Sequence, residues 1–256
     1  FVGPPFVFNF TTISTDTSMI SPSAAINSRG SVFFMSDNGF FVYNGAVQPL
    51  PCSVKDYVFS NLNLGQAFKV FAAENSAHSE VTWYYPIGTG VTEITNYVTF
   101  NYEENLWSIG TLDRGAWYDS GMGDYPLASS IITDTNANYL YEHENGYDAD
   151  GEALTAYIES GDLEIGDGNA FMFMNRIIPD FSFKGSDPVV DMTIKGRDYP
   201  LQDSTVLATT TVTQSTTQSE IRARSRHPVI RIESTGEGYG WRLGTLRLDV
   251  RQDGRR

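Results

Sequence analysis

Nine of the last thirty-five residues are arginines: Arg222, Arg224, Arg226, Arg231, Arg242, Arg247, Arg251, Arg255 and Arg256. Only four acids, Glu233, Glu237, Asp249 and Asp253, stand among them, so this end carries +5 in a chain of net charge −14. A guanidinium is planar, always charged, and grips a carboxylate or phosphate with two parallel N–H bonds. In Val229–Glu233 and Leu246–Val250 apolar residues alternate with charged ones, which in a strand buries one set and leaves the arginines on the wet face. The two runs read as a strand pair turned at Gly236, Gly238 and Gly240, with Tyr239 and Trp241 beside the last glycine. Arg224, Arg231, Arg242, Arg247 and Arg251 are therefore the candidate docking residues.

Other chemistries have less behind them. Asp148, Asp150 and Glu152 alternate around Gly151, and Asp162, Glu164 and Asp167 share a Gly-rich stretch, a spacing of oxygen ligands that suits Ca2+. Neither run completes an EF-hand loop, and an acidic solvated turn accounts for both. The three histidines, His78, His143 and His227, have no companions at zinc-ligand spacing. Neither a nucleophile elbow nor a phosphate-binding Gly-rich loop is present. Carboxylate pairs of the kind used by glycosidases cannot be singled out among 31 acids. The expectation is a protein that is not an enzyme and holds no cofactor. Cys52 is the only cysteine, so no internal disulfide forms, and it reads as a small packed residue.

Charge narrows the function further. Residues 1–150 hold 16 acids and 4 bases, −12, while 151–256 hold 15 acids and 13 bases, −2. A surface so acidic repels nucleic acid rather than neutralising its phosphates. No apolar run approaches the roughly 18 residues of a membrane span, so no membrane insertion is expected.

The elements that must position these residues are strands. Ser31–Ser36 and Phe40–Tyr43 flank Asp37-Asn38-Gly39, and Asn44-Gly45 follows, which is a hairpin signal because Asn-Gly accepts the positive φ of tight turns. A similar unit follows at Glu80–Tyr85 and Tyr97–Tyr102, and another at Leu127–Ile132 and Tyr139–Tyr141. Their first recognisable strands start near 32, 81 and 128, a spacing of 49 and then 47 residues. Paired strands at such a period suggest β-propeller blades of about 40–50 residues. About three blades are present, too few to close a ring. The chain begins at Phe1 close to a strand-like run, Phe6–Phe10, and the expectation is either that further blades precede it or that the repeats pack as an open stack of sheets. Ser53-Val54-Lys55-Asp56 has capping-box spacing ahead of a helix whose apolar face is Val54, Tyr57, Val58 and Leu62; a second helical turn is expected near Leu64–Phe71. Trp83, Tyr84, Tyr85, Trp107, Trp117 and Tyr118 could form a sugar platform but read as core between blades.

The rhythm changes after Gly151. Leu154–Ile158, Phe171–Met174, Arg176–Ile178, Phe181–Phe183, Val189–Ile194, Thr205–Thr213 and the C-terminal pair are short strands at β-sandwich spacing. The expected fold is all-β: residues 1–150 a partial β-propeller, and residues 151–256 a β-sandwich-like C-terminal domain.

Gly30–Gly45 with Val47–Pro51, Tyr157–Asp162 to Phe171–Phe173, and Trp241–Arg255 resemble the C-terminal parts of tail and neck proteins of tailed bacteriophages. The nearest likeness is to the β-propeller tail nozzle, the tail tubular protein B type of short-tailed phages (podoviruses), with packaged-DNA stabilisation proteins of the neck next. The resemblance implies a virion structural protein, assembled in the host cytoplasm, that forms a homo-oligomeric ring of six copies below the portal and adaptor. It implies contacts with adaptor, tail fibre or tailspike proteins, passage of DNA without specific binding during ejection, and no active-site residues. Such proteins have a longer N-terminal part than this chain. The competing expectation is a carbohydrate-binding or carbohydrate-hydrolysing propeller of the tail-fibre or glycosidase type.

Overall fold

Arg29 and Gly30 both take positive φ, 47° and 81°, and this two-residue loop joins β1 (Ala25–Ser28) to β2 (Ser31–Met35), with Ser28 paired to Ser31. Positive φ at both central residues is the type I′ geometry that matches the twist of a hairpin. The computed structural model describes residues 3–5, 11–121, 123–131 and 138–255. The strand expected at Phe6–Phe10 and the Ile132 end of the third unit lie outside them. The chain divides into two compact units, Phe1–Asn145 and Gly146–Arg256, and its sheets are antiparallel throughout.

In the first unit β1, β2, β3 (Phe40–Tyr43) and β4 (Val47–Leu50) pair in chain order. The Asn38-Gly39 turn does not use the left-handed geometry expected of it: Gly39 keeps a negative-φ backbone, and the loop closes through Ser36 N–H to Gly39 O at 2.9 Å. Gly45, at φ 109°, does use it. Helix α1 spans Lys55–Asn61 and a 3-10 turn spans Leu64–Lys69. Ser53 is not the cap; Val54 stands at that position with no side-chain capping bond. Tyr57 points to solvent and Phe59 packs inward instead.

A second chain-order meander follows: β5 (Phe71–Asn75), β6 (Glu80–Tyr85), β7 (Asn96–Asn101) and β8 (Leu106–Thr111). A third sheet holds β9 (Arg114–Tyr118), β10 (Leu127–Ser130) and β11 (Leu140–Glu142). Residues 32, 81 and 128 all fall in the second strand of a sheet, preceded by the first strands Ala25–Ser28, Phe71–Asn75 and Arg114–Tyr118.

Period-2 alternation gives the β5–β8 sheet two buried faces. Val81, Trp83, Tyr85, Val98 and Phe100 join Phe33, Met35, Phe40 and Val58 of the first sheet and α1 in one core. Ala73, Tyr84 and Tyr97 face the other way, with Ile94, Ile131 and Trp117. Trp83 and Tyr84 are both core, while Tyr118 is exposed.

The second unit contains β12 (Ala156–Glu159), β13 (Met172–Ile178), β14 (Phe181–Gly185), β15 (Val189–Arg197), β16 (Thr205–Thr213), β17 (Ser219–Ser225), β18 (His227–Ser234), β19 (Tyr239–Leu243) and β20 (Arg247–Gln252). Its sheets run β12-β18-β15-β16, β17-β13-β20 and β14-β19. Met172, Met174 and Ile177 of β13 and Ile221 and Ala223 of β17 meet Val190, Met192 and Ile194 of β15 and Ile230 and Ile232 of β18 in one core.

The expected pair of C-terminal strands is not formed. β18 lies between β12 and β15, whereas β20 pairs with β13 in a different sheet. Tyr239 and Trp241 sit within β19, which pairs with β14. A run of alternating residues specifies a strand but not its partner, and the core takes apolar faces from both sheets.

Candidate functional site

The arginines separate according to the sheet that carries them. On β17 the inward residues are Ser219, Ile221, Ala223 and Ser225, so Glu220, Arg222 and Arg224 point outward. Cross-strand register aligns Arg224 with Phe173 and Arg251, and Glu220 with Arg176 and Asp249. The outer face of β17-β13-β20 thus carries Arg222, Arg224, Arg176, Arg247 and Arg251 against Glu220 and Asp249. Arg251 lies 4.8 Å from the Phe173 ring centroid, and Arg224 lies 3.7 Å from that of Phe171 while bonding Asp253 through Nε at 2.6 Å. Arg176 reaches Asp249 at 3.5 Å. Among the described residues Arg222, Arg247 and Arg251 have no carboxylate partner, and all three are exposed. Arg242 is exposed too, but it lies on β19 opposite Ser182, outside this face.

Arg231 departs furthest from its expected docking role. It is partly buried, clamps Glu233 through Nε at 3.0 Å and Nη2 at 2.8 Å, and reaches Glu159 through Nη1 at 3.3 Å. Glu159 also accepts from Lys195 Nζ at 2.7 Å, and Tyr157 lies under the guanidinium at 3.9 Å. Glu159 stands directly across from Arg231 in the β12–β18 ladder, so sheet register commits this arginine to its own strand neighbours. Lys195 and Arg231 hold the Glu159 carboxyl below the ordinary range, and Arg231 does the same for Glu233.

Replacing Arg231 by Met removes three charge-assisted bonds. We expect a loss of about 1–2 kcal/mol, above the roughly 0.2–1 kcal/mol of an exposed pair. Because the two glutamates have lowered pKa values, the network stabilises the fold above about pH 4.3 and is lost as pH falls through the lowered values. Urea unfolding at neutral and acidic pH measures both: the gap between wild type and Arg231→Met closes on acidification.

The acidic turn does not gather its three carboxylates around one point. Asp148 Oδ1 accepts from Gly151 N at 2.9 Å, and Ala149 and Glu152 bond each other through the backbone, so Asp148, Asp150 and Glu152 do not converge. Asp162 pairs with Arg197, Glu164 with His227 and Asp167 with Asn169. Among the described residues no group of three metal-ligating side chains is assembled.

The structure brings together one constellation that sequence reasoning missed. The second face of the β5–β8 sheet, carrying Glu80, Thr82, Tyr84, Tyr97, Thr99 and Ser108, borders a half-open cavity of about 240 Å3 closed by Asn75, Trp117, His143 and Glu144. Tyr97 lies across Gly110, its cross-strand partner, where any Cβ would enter the ring. Thr82 and Thr99 share a hydroxyl bond of 2.7 Å. Burial raises the Glu80 carboxyl and the Tyr84 and Tyr97 phenols, and Glu144 adds to each rise. His143 is pushed down to about 4 by burial and by Arg114, whose Nε donates to His143 Nε2 at 3.0 Å, so the imidazole is neutral at pH 7. The alternation Glu80-Val-Thr-Trp-Tyr-Tyr85 contained the signal for a polar second face. Asn75 and Glu144, 69 residues apart, gave none.

Comparison with protein-family models and with curated proteins finds no match. Fold and sites thus define a class only: an all-β protein of antiparallel sheets with an arginine-bearing outer face and an acidic aromatic cavity.

Proposed function

We propose that this chain is a structural component of a bacteriophage tail, part of a ring-shaped homo-oligomeric nozzle that continues the DNA exit channel. The observation that carries the reading is the succession of chain-order antiparallel sheets beginning at Ala25, Phe71 and Arg114, which is how propeller blades are built. The two sheets that share a core in the second unit suit a β-sandwich-like docking module. The exposed arginines Arg222, Arg247 and Arg251 supply a basic surface, and residues 1–150, at −12, supply an acidic one. A surface of one sign on one copy and the other on its neighbour is what a head-to-tail ring requires. An acidic channel wall also lets a polyanion slide past without being gripped.

Electron microscopy and analytical ultracentrifugation of the full polypeptide with the phage adaptor test this. A closed ring seated on the adaptor is the expected result. A monomer in solution together with tails lacking density for the chain overturns the reading. So does release of reducing ends from host surface polysaccharide, which would make the protein a hydrolase.

A further inference from the structure

We propose that copies of this chain join by adding β12 of one copy to the β16 edge of the next, a head-to-tail strand pairing that rests on the homo-oligomeric ring proposed above. β12 and β16 are the outer strands of the sheet β12-β18-β15-β16, and among the described residues neither has a second strand partner. Every neighbouring pair in that sheet is antiparallel, so with four strands the two edges run in opposite directions. A second copy continuing the sheet therefore meets the first in the antiparallel sense, and the same step repeats from copy to copy.

Both edges lack the charges and prolines that keep a sheet edge from pairing with another chain. β16 reads Thr-Val-Leu-Ala-Thr-Thr-Thr-Val-Thr, without a charge or a proline, and its ladder is regular from Ala208 to Thr213. β12 is exposed at all four residues. One row across the sheet is Ile158-Ile232-Met192-Thr210, in which Ile232 and Met192 are buried while Ile158 is 50 % exposed. Ile158 thus lies on the core side of the sheet and is left uncovered at its edge. Leu154, just ahead of β12 and 57 % exposed, adds a second apolar side chain.

Continuing the rows across the junction sets Ile158 of one copy beside Thr210 of the next, and Tyr157 beside Thr211. Leu154 then falls toward Val212 and Thr213, which border a half-open cavity of about 300 Å3 with Pro179, Phe181 and Phe183. Main-chain bonds along an added strand supply affinity, and a pocket for its side chain supplies register.

Charge selects a second copy as the occupant. Gly146–Glu159, exposed throughout except at Ala153, carries Asp148, Asp150, Glu152 and Glu159 and no base. β17 runs alongside β16 and turns Arg222 and Arg224 outward against Glu220. Arg222 is exposed and has no carboxylate partner among the described residues. An acidic edge and a basic edge on one unit attract head to tail, whereas β12 against β12 would set acid on acid.

Tyr157→Cys and Thr211→Cys, each in a Cys52→Ser background, test the junction in the full chain, alone and with the adaptor. Mixed and oxidised, the two variants should give a covalent dimer that neither gives by itself, and Tyr157→Cys/Thr211→Cys should give a ladder ending at the ring. Leu154→Asn/Ile158→Asn should weaken self-association at least tenfold in sedimentation velocity. Circular dichroism should stay unchanged, because both side chains are exposed in the single copy. Cross-linking within either single-cysteine variant overturns the head-to-tail pairing. Rings that form without the mixed cross-link, or that survive Leu154→Asn/Ile158→Asn, overturn this junction and leave the nozzle reading standing. Absence of self-association under every condition overturns both. Cross-linked assemblies of a protein that is absent from tails keep the junction and overturn the nozzle.

Discussion

Trp83→Ala should unfold a large fraction of the first unit. The indole is fully buried, packs 4.8 Å from the Phe40 ring and 6.1 Å from Trp107, and donates Nε1–H to Ala24 O at 3.1 Å. Truncation leaves a cavity where the first sheet, α1 and the β5–β8 sheet meet, at a cost of about 3–5 kcal/mol. It also removes one of the two donors to the Ala24 carbonyl, which keeps the Met35 N–H at 3.0 Å. Since whole domains are stable by about 5–15 kcal/mol, this one side chain accounts for much of the margin. Trp83→Phe should cost less, because most of the contact area stays and only the hydrogen bond and part of the ring are lost. Denaturant unfolding together with amide exchange in β2, β3, β6 and β7 measures the effect. Equal stability of Trp83→Ala and wild type would show that this core is not what holds the two meanders together.

Charge reversal at Arg222, Arg247 and Arg251 should abolish the proposed ring assembly while leaving the second unit folded. The three side chains are exposed and project from the outer face of β17-β13-β20, so none supports the core beneath. Wild-type assembly should weaken as salt rises, because contacts between exposed charges are screened over about 8–10 Å at ordinary ionic strength. The triple Arg→Glu protein should remain monomeric at all salt concentrations. Arg242→Glu serves as a comparison, since Arg242 sits on the β14-β19 sheet; it should have a smaller effect. Sedimentation velocity across a salt series reads all of these. Rings that persist in the triple variant would remove this face from the docking surface.

How much of this was legible in the residues depends on the distance over which each feature is decided. The hairpin at Ser31–Tyr43 was readable because alternation and turn residues act within a dozen positions, although the turn itself closes without the positive φ expected at Gly39. β17, which was not among the expected strands, carries the same local signal: Glu220, Arg222 and Arg224 alternate with the buried Ile221 and Ala223. β1 and β19 were harder, since Ala25–Ser28 is too polar and Tyr239–Leu243 too rich in glycine to stand out before their partners are known. The capping box failed because Ser53 lies one residue before the position where α1 is capped.

Local alternation and turn chemistry, acting through the two-residue period of the strand, were enough to determine an all-β chain, a change of rhythm near Gly151 and arginines on wet strand faces. Partner choice was decided only in three dimensions. Whether Arg231 is a docking residue or a clamp on Glu159 and Glu233, and whether Asn75, Glu80 and Glu144 meet, depends on ladder register and on strands far apart in the chain. Those pairings are selected by which apolar faces close a common core, a free energy shared over the whole unit and written in no single stretch of residues.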